Sequence, residues 1–143
     1  MWAFPLAGGD ARPLTDVKQG VSDYAWSPDG HRLALVIRDP KPEDEAEEKK
    51  DGKKKVPRPY VIERLQFKRD NTGYLDDRRT HIYVYDLAAK EARQVTSGDR
   101  DDRDPVWSPD GTRIAFVSNR TEEPDANSNT DIWVVAADDA DRG

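Results

Sequence analysis

Acid–base or nucleophilic chemistry in this 143-residue chain would have to start from its two histidines, His31 and His81, and a serine near one of them. A nucleophilic serine needs a strained Gly-x-Ser-x-Gly elbow with a histidine and an acid in reach. No such elbow occurs. Ser27 and Ser108 each open a Ser-Pro-Asp-Gly tetrad, where serine ordinarily begins a turn. His31 follows one of these turns and His81 begins an apolar segment. With no partner at a recognisable spacing, both are expected in surface or strand-end packing rather than in proton transfer. No catalytic residue is assigned.

The run Asp99-Arg100-Asp101-Asp102-Arg103-Asp104 has carboxylates enough to suggest calcium. Its interleaved arginines neutralise them, and the glycine and distal glutamate of a calcium loop are missing at the required spacing. Arg–Asp pairing in a loop is the expectation, with no metal and no cofactor. Cysteine is absent, which excludes disulfides and thiolate ligands and is compatible with a reducing compartment. The four tryptophans, Trp2, Trp26, Trp107 and Trp133, fall at repeated strand positions and are expected to fill a core rather than to form a carbohydrate platform.

The elements that position these residues follow from a repeat. Trp26-Ser27-Pro28-Asp29-Gly30 recurs letter for letter as Trp107-Ser108-Pro109-Asp110-Gly111, and each copy is followed by an apolar, β-branched run. Pro presets φ, Asp suits the second central position and Gly takes a left-handed conformation, so each copy reads as strand, tight turn, strand. Asp29 and Asp110 resemble a ligand pair only because the repeat duplicates them. The same offset of 81 aligns Trp2 with Tyr83, Ala11-Arg12 with Ala92-Arg93, Thr15 with Thr96, Asp23 with Asp104 and Leu33-Ala34 with Ile114-Ala115. Gly30 to Ile82 spans 52 residues and Gly111 to Ile132 only 21, so removing the excess leaves a unit of 50. Propeller blades of four strands run to about that length.

The expected fold is therefore all-β, a partial propeller of four-stranded antiparallel blades. Residues 1–16 read as a half blade (strands three and four), 17–97 as a complete blade with an insertion at about 39–79, and 98–143 as the first three strands of another. Leu33, Leu35 and Ile37 point to one face of their strand and Ala34 and Val36 to the other. Apolar residues on both faces mark a sheet covered on both sides.

Between Asp39 and Arg79 lie 11 acidic and 12 basic residues. Glu43–Glu48 is acidic and Lys49–Lys55 largely lysine, a segment that cannot bury apolar surface. Val56 to Phe67 has apolar residues enough to pack, and Asn71-Thr72-Gly73 reads as a turn. The net charge of −6 and the five acids before the lysines give no expectation of nucleic acid or a membrane as partner. No apolar stretch approaches the roughly 18 residues of a membrane helix.

Taken together, the repeated turn, the third-strand pattern His81-Ile-Tyr-Val-Tyr-Asp-Leu87 and the segments Arg58-Pro-Tyr-Val-Ile-Glu-Arg-Leu-Gln-Phe-Lys-Arg-Asp70 and Gly73-Tyr-Leu-Asp-Asp-Arg-Arg79 carry a resemblance. The sequence resembles the propeller domain of prolyl oligopeptidase-family serine peptidases, with the bacterial acylaminoacyl peptidase branch as the nearest look. That resemblance implies a parent chain in which an α/β-hydrolase domain carries the catalytic Ser, Asp and His. The propeller would cap its active site, admit peptides and exclude folded proteins, in the cytoplasm. Arg58, Tyr60, Arg64, Phe67, Arg78 and Arg79 of the insertion are the expected contacts to that domain or to another subunit. The binding alternative is a TolB-like propeller with protein partners and no catalysis. Self-association is expected in either case from unpaired strand edges and bare sheet faces.

Overall fold

Both Ser-Pro-Asp-Gly tetrads close as tight turns. Gly30 N–H donates to the Ser27 carbonyl and Gly111 N–H to that of Ser108, each at 2.9 Å. The two glycines take φ of 71° and 68°, a left-handed conformation that side chains rarely adopt. In each turn the serine hydroxyl bonds to the aspartate two residues on and accepts the N–H of Arg32 or Arg113.

The computed structural model describes residues 1–40, 62, 65–70 and 73–138. Its strands are β1 (Trp2–Ala3), β2 (Arg12–Pro13), β3 (Asp23–Trp26), β4 (Arg32–Arg38), β5 (Lys68–Arg69), β6 (Gly73–Tyr74), β7 (Thr80–Asp86), β8 (Glu91–Gln94), β9 (Asp102–Trp107), β10 (Arg113–Ser118) and β11 (Asp131–Ala136). No helix occurs among the described residues, and every pairing is antiparallel. The fold is all-β, with blade-like sheets in the orders β3-β4-β7-β8 and β11-β10-β9 and two short pairs, β1-β2 and β5-β6.

The repeat extends to single hydrogen bonds. Trp2 pairs with Pro13 and Ala3 with Arg12, as Tyr83 pairs with Gln94 and Val84 with Arg93. The Met1 amino group donates to Thr15 Oγ1 at 2.9 Å and the Ile82 N–H to Thr96 Oγ1 at 2.8 Å. β1 and β2 are shorter than their alternation suggests, since Pro5 and Pro13 each remove an N–H from the ladder. In β9, Val106 pairs with Ala115 but Arg103 with Val117, so Asp104 and Pro105 together oppose Phe116. Asp104 takes φ of 52° at this bulge, and Pro105 is tolerated because β9 is an edge.

The four-stranded sheet is covered on both faces, as the pattern of β4 predicts. On one side Ala34, Val36, Ile82, Val84 and Val95 pack against Trp107, Ile114, Phe116 and Ala137 of the three-stranded sheet. On the other, Leu33, Leu35, Ile37 and Tyr85 pack beneath Met1, Val17 and Val21.

Two expectations need correction. Of the four tryptophans only Trp107 is buried, at 8% exposure, whereas Trp2, Trp26 and Trp133 are 65, 48 and 39% exposed. Trp107 lies at the joint between the sheets, where its Nε1 donates to the Ala25 carbonyl at 3.1 Å and the Arg32 guanidinium sits 4.9 Å from its ring centroid. Trp26 has the equivalent position in β3, but no such seat holds it among the described residues. The described residues of the Val56 to Phe67 segment also pack less than its composition suggests. Lys68 pairs with Tyr74 and Arg69 with Gly73 as a hairpin, yet Ile62, Leu65 and Phe67 all remain exposed.

Phe116 is 2% exposed and fills the joint. Phe116→Ala is expected to lower the unfolding free energy by about 3–5 kcal/mol, measured by urea denaturation, because the surrounding sheets cannot close a cavity of that size.

Candidate functional site

Charged side chains gather at the end of the sheets where β4 stops and β7 and β9 begin. The chain leaves the sheet at Asp39 and returns at Arg79, where the Asp39 N–H donates to the Arg79 carbonyl at 2.8 Å and the Arg79 N–H to Asp39 Oδ2 at 3.1 Å. The insertion is thus pinned at its root by paired backbone and carboxylate bonds.

Arg79, a candidate contact to another domain or subunit, is 5% exposed within this chain. Its Nε donates to Asp99 Oδ1 at 2.6 Å and its Nη1 to Asp125 Oδ1 at 3.1 Å, while Asp101 Oδ2 stands 3.9 Å away. Burial opposes the guanidinium charge, but the hydrogen bonds to Asp99 and Asp125 outweigh it and raise the pKa above its ordinary value. Asp101 also accepts from the Thr80 N–H and hydroxyl, at 3.0 and 3.2 Å.

His81 is buried as well, between carboxylates from two sheets. Its Nε2 lies 3.5 Å from Asp39 Oδ1 and its Nδ1 3.6 Å from Asp102 Oδ2. Asp102 is fully buried, and Arg120 Nη2 approaches its Oδ1 at 4.0 Å. The Arg120 guanidinium also lies over Phe116 and Trp133, 5.3 and 5.0 Å from their ring centroids. So the acidic run does pair with cations, but mainly with ones remote in sequence. Its own Arg103 pairs with Asp104, at 3.7 Å and exposed. His81 keeps its strand-end place but not a surface one.

Beside this cluster opens a cleft of about 700 Å³, bordered by Arg38, Arg78, Arg103, Asp23, Asp101 and Asp125 as well as by Val21, Val36 and Leu75. Arg38 and Arg78 share Asp76, at 2.9 and 2.8 Å. Of the hydroxyls here, Ser22 donates to the Val36 carbonyl at 3.1 Å and Thr80 to Asp101 Oδ1 at 3.2 Å. Ser27 and Ser108 are tied into their turns. Among the described residues there is no grouping of three or more metal-ligating side chains. What the arrangement does is hold loops in fixed relation to two sheets.

The remaining candidates fall in different places. Trp26, Pro28, Asp29 and Gly30, and Trp107, Pro109, Asp110 and Gly111, form the two turns and their tryptophan ends. Arg58, Tyr60 and Arg64 lie outside the described residues, Phe67 is exposed and Arg78 half-buried. Sequence reasoning missed Arg32, whose Nη2 donates to the Gly111 carbonyl at 2.8 Å while Nη1 meets Asp138 Oδ1 at 3.2 Å. Its equivalence to Arg113 in the repeat was the available signal.

Residues 65–121, which include Arg79, the acidic run and the second turn, match the family model of the dipeptidyl peptidase IV (DPP IV) N-terminal region. The chain is also 31% identical over 135 residues, 94% of its length, to the "Uncharacterized peptidase YuxL" of Bacillus subtilis (strain 168). The chain is thus similar to peptidase sequences, in part to an N-terminal region. A lesser similarity, 30% identity over 92 residues or 64% of the chain, is to the Tol-Pal system protein TolB of Alcanivorax borkumensis. The chain spans about a fifth of the length of these relatives, 20% and 18% respectively. No helix among the described residues is long and apolar enough to cross a membrane.

Two outcomes are expected from this geometry. Arg79→Met leaves half-buried Asp125 and Asp101 and exposed Asp99 facing one another without their cation, and should cost about 1–3 kcal/mol in denaturant unfolding, toward the lower figure because Asp99 can turn to water. The Asp110 carboxyl is held at about 2, chiefly by the Ser108 hydroxyl and then by the Thr112 N–H and hydroxyl. Being depressed from 3.8, it favours the closed turn at pH values above 3.8, an advantage lost as pH falls through about 2. Ser108→Ala should move the Asp110 titration up toward 3.8, followed by carboxyl carbon NMR.

Proposed function

We propose that this chain is propeller sequence of a serine peptidase of the acylaminoacyl or oligopeptidase type, gating and scaffolding the access of peptides to an α/β-hydrolase domain of the same parent polypeptide in the cytoplasm. The observation that carries the reading is the 31% identity to a peptidase over 94% of the chain. The four-stranded sheet, covered on both faces, supports it as a blade. On this reading 17–97 is one complete blade, with 1–16 and 98–143 belonging to its neighbours.

The hydrolase domain supplies the Ser, Asp and His, and the sheets decide what reaches them. The insertion is the specialised part. Exposed Ile62, Leu65 and Phe67 and the half-buried Arg78, with Arg58, Tyr60 and Arg64, make its contact to the hydrolase domain or to another subunit, and buried Arg79 anchors it. The TolB similarity supports a non-catalytic binding propeller, but it covers less of the chain and a smaller share of its relative.

The parent polypeptide, treated with a serine-reactive fluorophosphonate and given an acylated short peptide, is expected to label and to cleave. A parent that does neither overturns the peptidase reading in favour of the binding propeller. Deleting residues 56–78 while keeping Arg79 should change the substrate size limit or the subunit number. No change in either removes the insertion from the gate.

A further inference from the structure

Two carboxylates face one imidazole between the sheets, and they ask for more donors than a neutral ring has. His81, on β7, is 3% exposed, and Asp102, on β9, is fully buried. His81 Nε2 stands 3.5 Å from Asp39 Oδ1, just past the end of β4, and Nδ1 stands 3.6 Å from Asp102 Oδ2. A neutral imidazole carries one N–H, so one of its nitrogens would turn a lone pair toward a carboxylate. Neither Asp102 oxygen, nor His81 Nδ1, has a hydrogen-bond partner among the described residues. A carboxylate buried in this way is costly unless a cation stands against it.

The charges around the ring favour the cationic form. Asp39 and Asp102 bring two negative charges, and the Arg120 guanidinium, 4.0 Å from Asp102 Oδ1, answers one of them. Arg79, before β7, is already matched against Asp99, Asp101 and Asp125, which outnumber it. Arg38 and Arg78 are taken by Asp76, and Arg103 by Asp104. Tyr83, two residues along β7, adds no charge, since burial and then the Asp39 carboxylate push its hydroxyl above its ordinary pKa. The set is one positive charge short. A proton on His81 supplies it.

We propose that His81, Asp39 and Asp102 form a proton-binding site that ties the two sheets together, the ring acting as an imidazolium that donates from Nε2 to Asp39 and from Nδ1 to Asp102. Asp39 also accepts the Arg79 N–H, so the same proton braces the root of the insertion. The imidazole of an unfolded chain titrates near 6.5. Below that value folded and unfolded chains both hold the proton, and the contribution to stability is whole. Above it the unfolded chain gives the proton up while the folded site keeps it, so the contribution shrinks with rising pH and ends once the folded site is deprotonated too. The contact between the sheets is firm in mild acid and loosens in alkali. This device goes beyond the peptidase reading and does not rest on it.

The test is imidazole nitrogen NMR on the full 143-residue chain, whose two histidines are told apart by the signals lost in His31→Gln, an exposed position. At about pH 7, above the ordinary imidazole value, both ring nitrogens of His81 are expected to carry protons. A folded chain whose His81 carries one N–H there overturns the proposal, and that result needs no variant at His81. Urea unfolding reads the linked stability. Relative to His81→Gln, the folding constant of the unaltered chain should fall by up to about tenfold per pH unit as pH rises above about 6.5. Parallel pH profiles for the two chains overturn the proposal. Asp39→Asn keeps the ring and removes one of its carboxylates, so the proton should leave His81 at lower pH, and an unmoved titration counts against the site. None of these outcomes bears on whether the parent is a peptidase, which the fluorophosphonate reads separately.

Discussion

The joint at Trp107 is what the rest of the structure depends on. Each sheet alone has an apolar face it cannot leave in water, and neither has the thickness to form a core by itself. The indole closes the gap between them from β9, while Arg32 reaches across from β4 to the next turn. Dispersion and apolar burial supply the attraction, and the polar bonds fix how far one sheet slides over the other. Because the guanidinium binds a turn carbonyl rather than a side chain, the register is set by backbone that substitution does not alter.

At the opposite end of the strands the physical balance is reversed. Buried Arg79, His81 and Asp102 stand here beside half-buried Asp39, Asp101 and Asp125 and exposed Asp99. Such a cluster stabilises little in net terms, since desolvation of its buried members offsets much of their attraction and water screens the exposed ones. Its value lies in geometry, because an arginine held by Asp99 and Asp125 allows few positions for the loops that carry them. Loop 119–130 is ordered internally too, with Asn119 Nδ2 donating to the Pro124 and Asn127 carbonyls and Asn127 Nδ2 to Thr121 Oγ1.

How much of this was legible in the sequence depended on range. The turns were readable because Pro, Asp and Gly act within four residues, and the two-faced burial of β4 was readable because strand period is local. The cluster was legible only as a suspicion of Arg–Asp pairing. Arg79 finds Asp99 and Asp125, 20 and 46 residues away, and nothing in either segment announces the other. The tryptophans misled for a related reason. Trp26 and Trp107 are indistinguishable in their motif, and their burial differs because it depends on the neighbouring sheet rather than on the residue. The bulge at Asp104 had no signal beyond Pro105, whose missing N–H is compatible with an ordinary edge.

The root of the insertion carries a further consequence. Asp39 and Arg79 are joined by hydrogen bonds, so the chain between them starts and finishes at almost one point on neighbouring strands. Lengthening a loop whose ends are already held together adds little entropic cost, about 0.6 kcal/mol for each doubling. A change in the length of the segment beyond its root therefore leaves these bonds, and the register of β4 with β7, where they are. A reporter domain grafted there starts from a fixed point of attachment and puts no tension on the strands that hold it.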